Sequence, residues 1–237
     1  DLHSFPTRRS SDLNRLIWAI DYALQCIQDG RRSITYEDPD PDLAKGSEFT
    51  YVDEYETIHV LQIKRQKGSS NKWTIDALER KGIFEAAKSH IDAGHEYHFG
   101  SMTPCGKLRD LSERARKCRS FEIFKQDLVE DLKPEFKNLT DIFYTEEKTW
   151  QMLQYMYFSV MDEIKYRKIT ITLAEAMLHG AEGSVLFDAI GSVLLDNLGK
   201  TLTKNELLDA LARKEIFVPE EKVKQTARDE VRAATKR

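Results

Sequence analysis

Between residues 32 and 64, three β-rich runs are separated by breaks that regular structure cannot cross, and this constrains the fold more than any other feature. Residues 32–37 (RSITYE) alternate in the manner of a strand, and Asp38-Pro39-Asp40-Pro41-Asp42 then ends it. Each proline lacks a backbone donor and restricts the residue before it. Residues 48–52 and 57–64 flank the polar stretch Asp53-Glu54-Tyr55-Glu56, the pattern of an antiparallel hairpin. Leu16, Ile17, Ile20, Ala23, Leu24 and Ile27 recur at three- and four-residue steps, which predicts an amphipathic helix over 14–28 stopped by Asp29-Gly30.

Beyond the break at Gly68-Ser-Ser-Asn71, the spacing of Ile75, Leu78, Ile83, Phe84 and Ala87 predicts one or two helices to about residue 90, and residues 96–102 (EYHFGSM) read as a short strand. The order is helix, strand, hairpin, helix, strand. From Lys107 onward every window is helical, including 150–164, and Thr203 is an expected N-cap with Glu206 three residues on. An α/β (α+β) core over 14–120 followed by an all-helical region over 121–237 is the expectation, with 220–237 a charged, weakly ordered final helix. The 11 glycines and 6 prolines are few for an all-β chain of this length.

The net charge of −4 places no basic excess on the whole chain, so any nucleic-acid surface has to be local. Three widely spaced cysteines, Cys26, Cys105 and Cys118, give neither a disulfide framework nor a zinc motif. No apolar run approaches the ~18 residues of a membrane span, so a cytoplasmic chain without a membrane partner is expected. Residues 1–13 (DLHSFPTRRSSDL) look like a translated short-read sequencing adapter. They are set aside from fold reasoning and expected to be disordered or a helical extension without core contacts, Phe5 included; the true N-terminus is then missing.

Chemistry concentrates in the β-rich part. Alternate residues of a strand share a face, so Gln62 and Lys64 point the same way, and closing the hairpin returns Glu48 beside them, with Glu37 ending the first strand. Hydrolysis of a phosphodiester needs a hard divalent cation on oxygen ligands and a positive group near the attacking water. A carboxylate, the Gln62 amide and the backbone carbonyl of Ile63 offer such ligands, and Lys64 offers the cation. Arg65, Lys67 and Lys72 surround the hairpin end with positive charge, and Trp73 is a candidate wedge near DNA, a core role being the commoner fate of such a side chain. A second run of cations, Lys107, Arg109, Arg114, Arg116, Lys117 and Arg119, outweighs Asp110 and Glu113.

Taken together, strand, acid, hairpin and Gln-x-Lys resemble the PD-(D/E)xK nuclease core in its Gln-x-Lys form. More narrowly, RSITYEDPDPDLAKGSEFTYV, HVLQIKRQ and KWTIDAL look like the endonuclease domain at the N-terminus of anti-phage defence proteins, including CD-NTase-associated double-strand DNA endonucleases. The resemblance spans about residues 30–120. It implies a restriction-endonuclease-like core; Glu48 and Gln62 holding Mg2+ or Mn2+; Lys64 as catalytic lysine with Glu37 assisting; duplex DNA as substrate; an oligomer when active; and a sensor or NTPase module following the chain. The first helix often adds a polar residue to such sites, which nominates Asp21, Gln25 or Gln28. Because Gln62 stands where the family more often has an acid, the alternative is a catalytically degenerate module that binds DNA or protein. A helical interaction module with an incidental α/β cap is a third reading, under which Glu48, Gln62 and Lys64 diverge in space.

Elsewhere the sequence offers little chemistry. Among His59, His90, His95 and His98, the i, i+3 pair His95 and His98 lies in or near a strand, which is poor zinc spacing, so core or surface roles are expected. Cys105 and Cys118 have no adjacent activating partner. The glycines of 179–183 lack the Lys-Ser/Thr of a phosphate-binding loop.

Overall fold

The computed structural model describes residues 10–29, 33–65 and 72–219. The expectations for Phe5, Lys67 and the charged tail over 220–237 lie outside the described residues. In chain order the elements are α1 (Ser10–Asp29), β1 (Ser33–Tyr36), α2 (Pro41–Ala44), β2 (Phe49–Val52), β3 (Ile58–Lys64), α3 (Ile75–Glu79), α4 (Ile83–Asp92), β4 (Glu96–Ser101), α5 (Lys107–Lys117), α6 (Phe121–Asp127), α7 (Lys133–Phe143), α8 (Glu146–Tyr155), β5 (Met156–Val160), α9 (Glu163–Met177), α10 (Gly183–Asp196), β6 (Thr201–Thr203) and α11 (Lys204–Ala212). The class is mixed α/β, as the alternation of β-rich and helical segments requires.

The six strands form one sheet in the order β5-β4-β3-β2-β1-β6. The hairpin pairs Phe49 with Leu61 and Val52 with Ile58, while β3 runs parallel to β4 (His59 opposite Glu96, Lys64 opposite Ser101) and β4 parallel to β5. Half the sheet is thus a meander and half is parallel, and the parallel half places the carboxyl ends of β3, β4 and β5 together at one edge.

Residues 150–164, expected as one helix, instead break into the end of α8, strand β5 and the start of α9. The run Met156-Tyr-Phe-Ser-Val160 explains the break, because aromatic and β-branched side chains suit a pleated, half-buried surface. The Asp162 carboxylate then accepts from the Lys165 amide and starts α9 afresh. Thr203 and Glu206 form the expected capping box on α11, and the residues just before it extend the sheet as β6 against β1. Among the described residues beyond 120 the chain is thus largely helical, and its two strands, β5 and β6, both join the sheet built by the N-terminal part.

Strand alternation sends side chains to two cores. On one face Ile34, Phe49, Leu61 and Ile63 pack under α1, α9, α10 and α11, with Ile17, Ile20 and Leu24 of α1 buried against them. On the other, Val60, Tyr97, Phe99, Met156 and Phe158 pack under the helices from α3 to α8. Each fully buried leucine or isoleucine contributes roughly 1.5–3 kcal/mol. Gly100 sits where the sheet meets α1: a Cβ there would stand 2.6 Å from Cδ1 of Ile63 and 3.1 Å from the Trp18 ring.

Candidate phosphate-recognition site at the carboxyl end of the parallel strands

Glu48 reaches its place through a pinned loop. His90 holds the carbonyl of Lys45 (2.7 Å), the Glu48 amide donates to the carbonyl of Leu61 (2.7 Å), and Gly46 has a φ of +65°. A left-handed conformation of this kind favours glycine. A Cβ at Gly46 would also collide with Cβ of Ala86 at 2.5 Å, so the loop lies directly on α4. The chain leaves this loop into β2 with Glu48 buried, at 7% exposure, beside the end of β3.

There its two carboxylate oxygens are engaged separately. Lys64 Nζ lies 2.8 Å from Oε1, and Arg15 Nη1 of α1 lies 3.0 Å from Oε2. Gln62, also buried, accepts the Tyr97 hydroxyl on its Oε1. Burial, with the Glu48 charge adding to it, raises the Tyr97 pKa far above the usual phenol range, so that hydroxyl remains a proton donor. Glu48, Gln62 and Lys64 do converge, with Arg15 and Tyr97 completing the group. The reading in which the three diverge does not hold.

Other nominated residues take different positions. Glu37 is exposed, with φ +55°, and meets Glu48 only through its backbone, donating its amide to the Glu48 carbonyl at 3.0 Å. Asp21 accepts from Gln25 of its own helix (2.6 Å) and from the Tyr166 hydroxyl (2.8 Å), so Asp21 joins α1 to α9 and Gln25 supports it from within α1. Gln28 is exposed at the far end of α1. The Ile63 side chain turns away from Glu48 into the α1 core, as alternation along β3 requires. Trp73, nominated for DNA contact, is instead a core residue: it is 4% exposed, donates Nε1–H to Ser101 Oγ at 2.7 Å and meets Phe99 edge to face. Its large apolar ring outweighs its position in a polar loop.

Beside Trp73, a cleft of about 300 Å³ is lined by Lys72, Cys105, Lys107 and Glu135, among others. Burial raises the Cys105 thiol to about 12, so it stays protonated at neutral pH and is a poor nucleophile. The second basic run is largely committed to the protein itself. Lys107 bonds Asp131 at 2.8 Å, Arg109 pairs with Glu113 at 2.8 Å, and the Arg116 guanidinium lies over the Tyr157 ring at 4.2 Å while donating to the Met156 carbonyl.

Two groups were not visible in the sequence as site residues. Arg15 comes from the helix that nominated Asp21, Gln25 and Gln28, and Tyr97 from a strand read only as structural. A third group lies at the opposite end of the sheet, where His59, Glu96 and His98 come together on the face turned away from Gln62. Burial pushes His98 down to about 4.

No family model matches the chain, and no curated protein matches it. Solved structures of similar fold do exist. The Moraxella osloensis Cap4 SAVED/CARF-domain containing receptor aligns with a TM-score of 0.56 at 10% identity, over 88% of this chain and 48% of that one. The Acinetobacter baumannii Cap4 SAVED/CARF-domain containing receptor aligns with TM-scores of 0.52 in its complex with the cyclic trinucleotide 2'3'3'-cAAA and 0.54 with 3'3'3'-cAAA, at 11% and 10% identity. These two alignments cover 89% and 88% of this chain and 47% and 48% of the receptor. At such identity the likeness is one of fold, and the chain spans about half the length of these structures.

These comparisons correct the sequence reading. The similar proteins are described as receptors, not as PD-(D/E)xK nucleases, and no nuclease family model matches. The resemblance drawn from Glu48 and Gln62-Ile63-Lys64, and the endonuclease function drawn from it, are therefore withdrawn. The spacing of Glu48, Gln62 and Lys64 follows from the hairpin that pairs β2 with β3, so it does not by itself mark a family. No described helix is long and apolar enough to cross a membrane.

Proposed function

We propose that the chain is a phosphate-binding module of a ligand-sensing receptor in an anti-phage defence system, and that it engages nucleic acid through Lys64 and Arg15 without cutting it. One observation carries this reading: each oxygen of Glu48 already has its own cation, at 2.8 and 3.0 Å. A metal ion at this carboxylate would have to share its oxygens with these two cations, whose charge disfavours a third. Two half-exposed cations held in register by a buried carboxylate make instead a preorganised anchor for a phosphodiester, which takes up positive charge without reading sequence. The carboxyl ends of parallel strands are where open α/β sheets commonly take their ligands. The cleft beside Trp73 carries a further cation, Lys72, in its lining.

The receptor setting rests on the fold shared with proteins described as SAVED/CARF-domain receptors, one of them in complex with each of two cyclic trinucleotides. Fluorescence anisotropy with a labelled DNA duplex tests the reading at low salt, with a cyclic trinucleotide as competitor. Lys64→Ala is expected to weaken binding about tenfold and to reduce the salt slope by about one. Displacement by the cyclic trinucleotide would make the small ligand the natural occupant of the anchor. Cleavage of the duplex on addition of Mg2+ or Mn2+, lost in Lys64→Ala, would overturn the binding reading, as would duplex affinity indifferent to that substitution.

A further inference from the structure

We propose that His59, Glu96 and His98 form a zinc site on the face of the sheet opposite the Glu48 group. His59 Nδ1 lies 3.0 Å from His98 Nε2 and 3.0 Å from Glu96 Oε2, and His98 Nε2 lies 3.5 Å from the same Glu96 oxygen. Donor atoms about 2.0–2.1 Å from a tetrahedral zinc ion stand about 3.3–3.4 Å apart. The triangle is thus within a few tenths of an ångström of the one zinc requires, before any adjustment of side chains. Two imidazoles and one carboxylate also form a donor set that suits a borderline metal, and three protein ligands leave a fourth position for water or a ligand.

The backbone explains why three residues from two strands converge. The parallel register sets His59 directly opposite Glu96, and Glu96 and His98 are two apart on one strand, so all three side chains leave the same face. The surroundings hold them there. His59 Nε2 lies 3.0 Å from Asp53 Oδ2, and the Asp53 side chain in turn accepts the amides of Tyr55 and Thr57 at 2.9 Å. A carboxylate on the distal nitrogen is the arrangement that fixes the tautomer and orientation of a metal-binding histidine. With Nε2 turned to Asp53, Nδ1 is the nitrogen that faces the other two donors. Tyr51 stacks on His59 with ring centroids 4.1 Å apart and 8° between planes, and Tyr157 stacks on His98 at 4.3 Å and 4°. The side chains of His59, His98 and Glu96 are 9%, 15% and 21% exposed, recessed yet open to an ion from solution. Along β3 the group lies five residues from Lys64, about 16 Å, so the site stands or falls apart from the phosphate anchor.

The test is titration of the tag-free, metal-stripped 237-residue chain with Co2+, followed in the visible spectrum and then by displacement with Zn2+. One saturable equivalent with the intense bands of four- or five-coordinate cobalt, bleached by one equivalent of zinc, is expected. His98→Ala and the near-isosteric Glu96→Gln should abolish the bands, and Asp53→Asn should weaken zinc binding about 10–100-fold while keeping the spectrum. Weak octahedral bands, no saturation, or a spectrum unchanged in Glu96→Gln would overturn the proposal. X-ray absorption on the wild-type zinc form decides independently of whether any variant folds: two imidazoles in the first shell support the site, and none overturns it.

Discussion

A carboxylate stands at each end of strand β3, Glu48 buried and Glu96 half-buried, and the two ends are solved in opposite ways. At its carboxyl end Glu48 is met by Lys64 and Arg15, two fixed positive charges on opposite oxygens. At its amino end Glu96 is met by two imidazoles, those of His59 and His98, on one oxygen. A carboxylate flanked by permanent cations is already neutralised and presents positive charge outward, so it suits an anion. A carboxylate flanked by imidazoles aimed at one point leaves room for a cation to join them. The difference lies in partner chemistry and aim rather than in the acid, which is Glu in both places.

The comparison depends on the sheet staying rigid between the two ends, and Gly100 is where this is most easily broken. Gly100→Val would drive a branched side chain into Ile63 and Trp18, already 2.6 and 3.1 Å from where a Cβ would stand. A loss of about 3 kcal/mol in urea unfolding is expected, together with loss of both cobalt uptake and duplex binding. A variant that kept one of the two would show that the ends are mechanically independent.

Next in size is Glu48→Gln. It leaves Arg15 and Lys64 facing a neutral amide, and because both cations are about a third exposed, the cost is expected near 1–2 kcal/mol rather than the larger penalty of a fully buried pair. Its sign on binding is the sharper outcome. If the cations serve a phosphate, removing the competing carboxylate tightens duplex binding severalfold in the anisotropy assay. If the carboxylate serves a metal, the same change does not tighten it. Tyr97→Phe follows at about 1–2 kcal/mol, since it leaves the buried Gln62 oxygen without its donor; a urea midpoint equal to wild type would mean that the hydroxyl is replaced by water.

How much of this was legible follows from how local each feature is. The hairpin was legible because Glu48, Gln62 and Lys64 are joined by fourteen to sixteen residues of alternating strand and one polar turn, so period and spacing alone bring them together. Arg15 and Tyr97 were not, because their places are set by how α1 crosses the sheet and by the parallel pairing of β3 with β4. The His59 group was hidden for the same reason. Its members are 37 and 39 residues apart, and the pair that stands out in sequence, His95 and His98, is the wrong pair: His95 lies beside His90, with ring centroids 5.9 Å apart, and only His98 joins the cluster. Strand β5 was hidden inside a helical window, since residues 150–155 do continue a helix and only the aromatic run after them changes period. Most consequential was the family resemblance: residue types and spacing matched a nuclease motif, while the fold at large aligned with receptors.

The smallest effect concerns acid stability and touches the loop that delivers Glu48. His90 is buried on α4 and donates Nε2–H to the carbonyl of Lys45, the residue before Gly46. Burial is the largest influence on it and lowers its pKa below the ordinary 6.5, against the opposing pull of that carbonyl. The folded chain therefore prefers neutral His90, and the unfolded chain takes up the proton first as pH falls. Its contribution is fully present above pH 6.5 and declines as pH drops below that value. The acid side of the stability curve, read as urea midpoints at pH 7.5 and 5.5, should show this loss. His90→Gln keeps a donor for the Lys45 carbonyl without a titrating ring, so it should flatten part of the slope and leave duplex binding at pH 7.5 unchanged. A slope identical to wild type would assign the acid sensitivity to other groups, among them His95 and His98, both of which burial also holds below the usual histidine range.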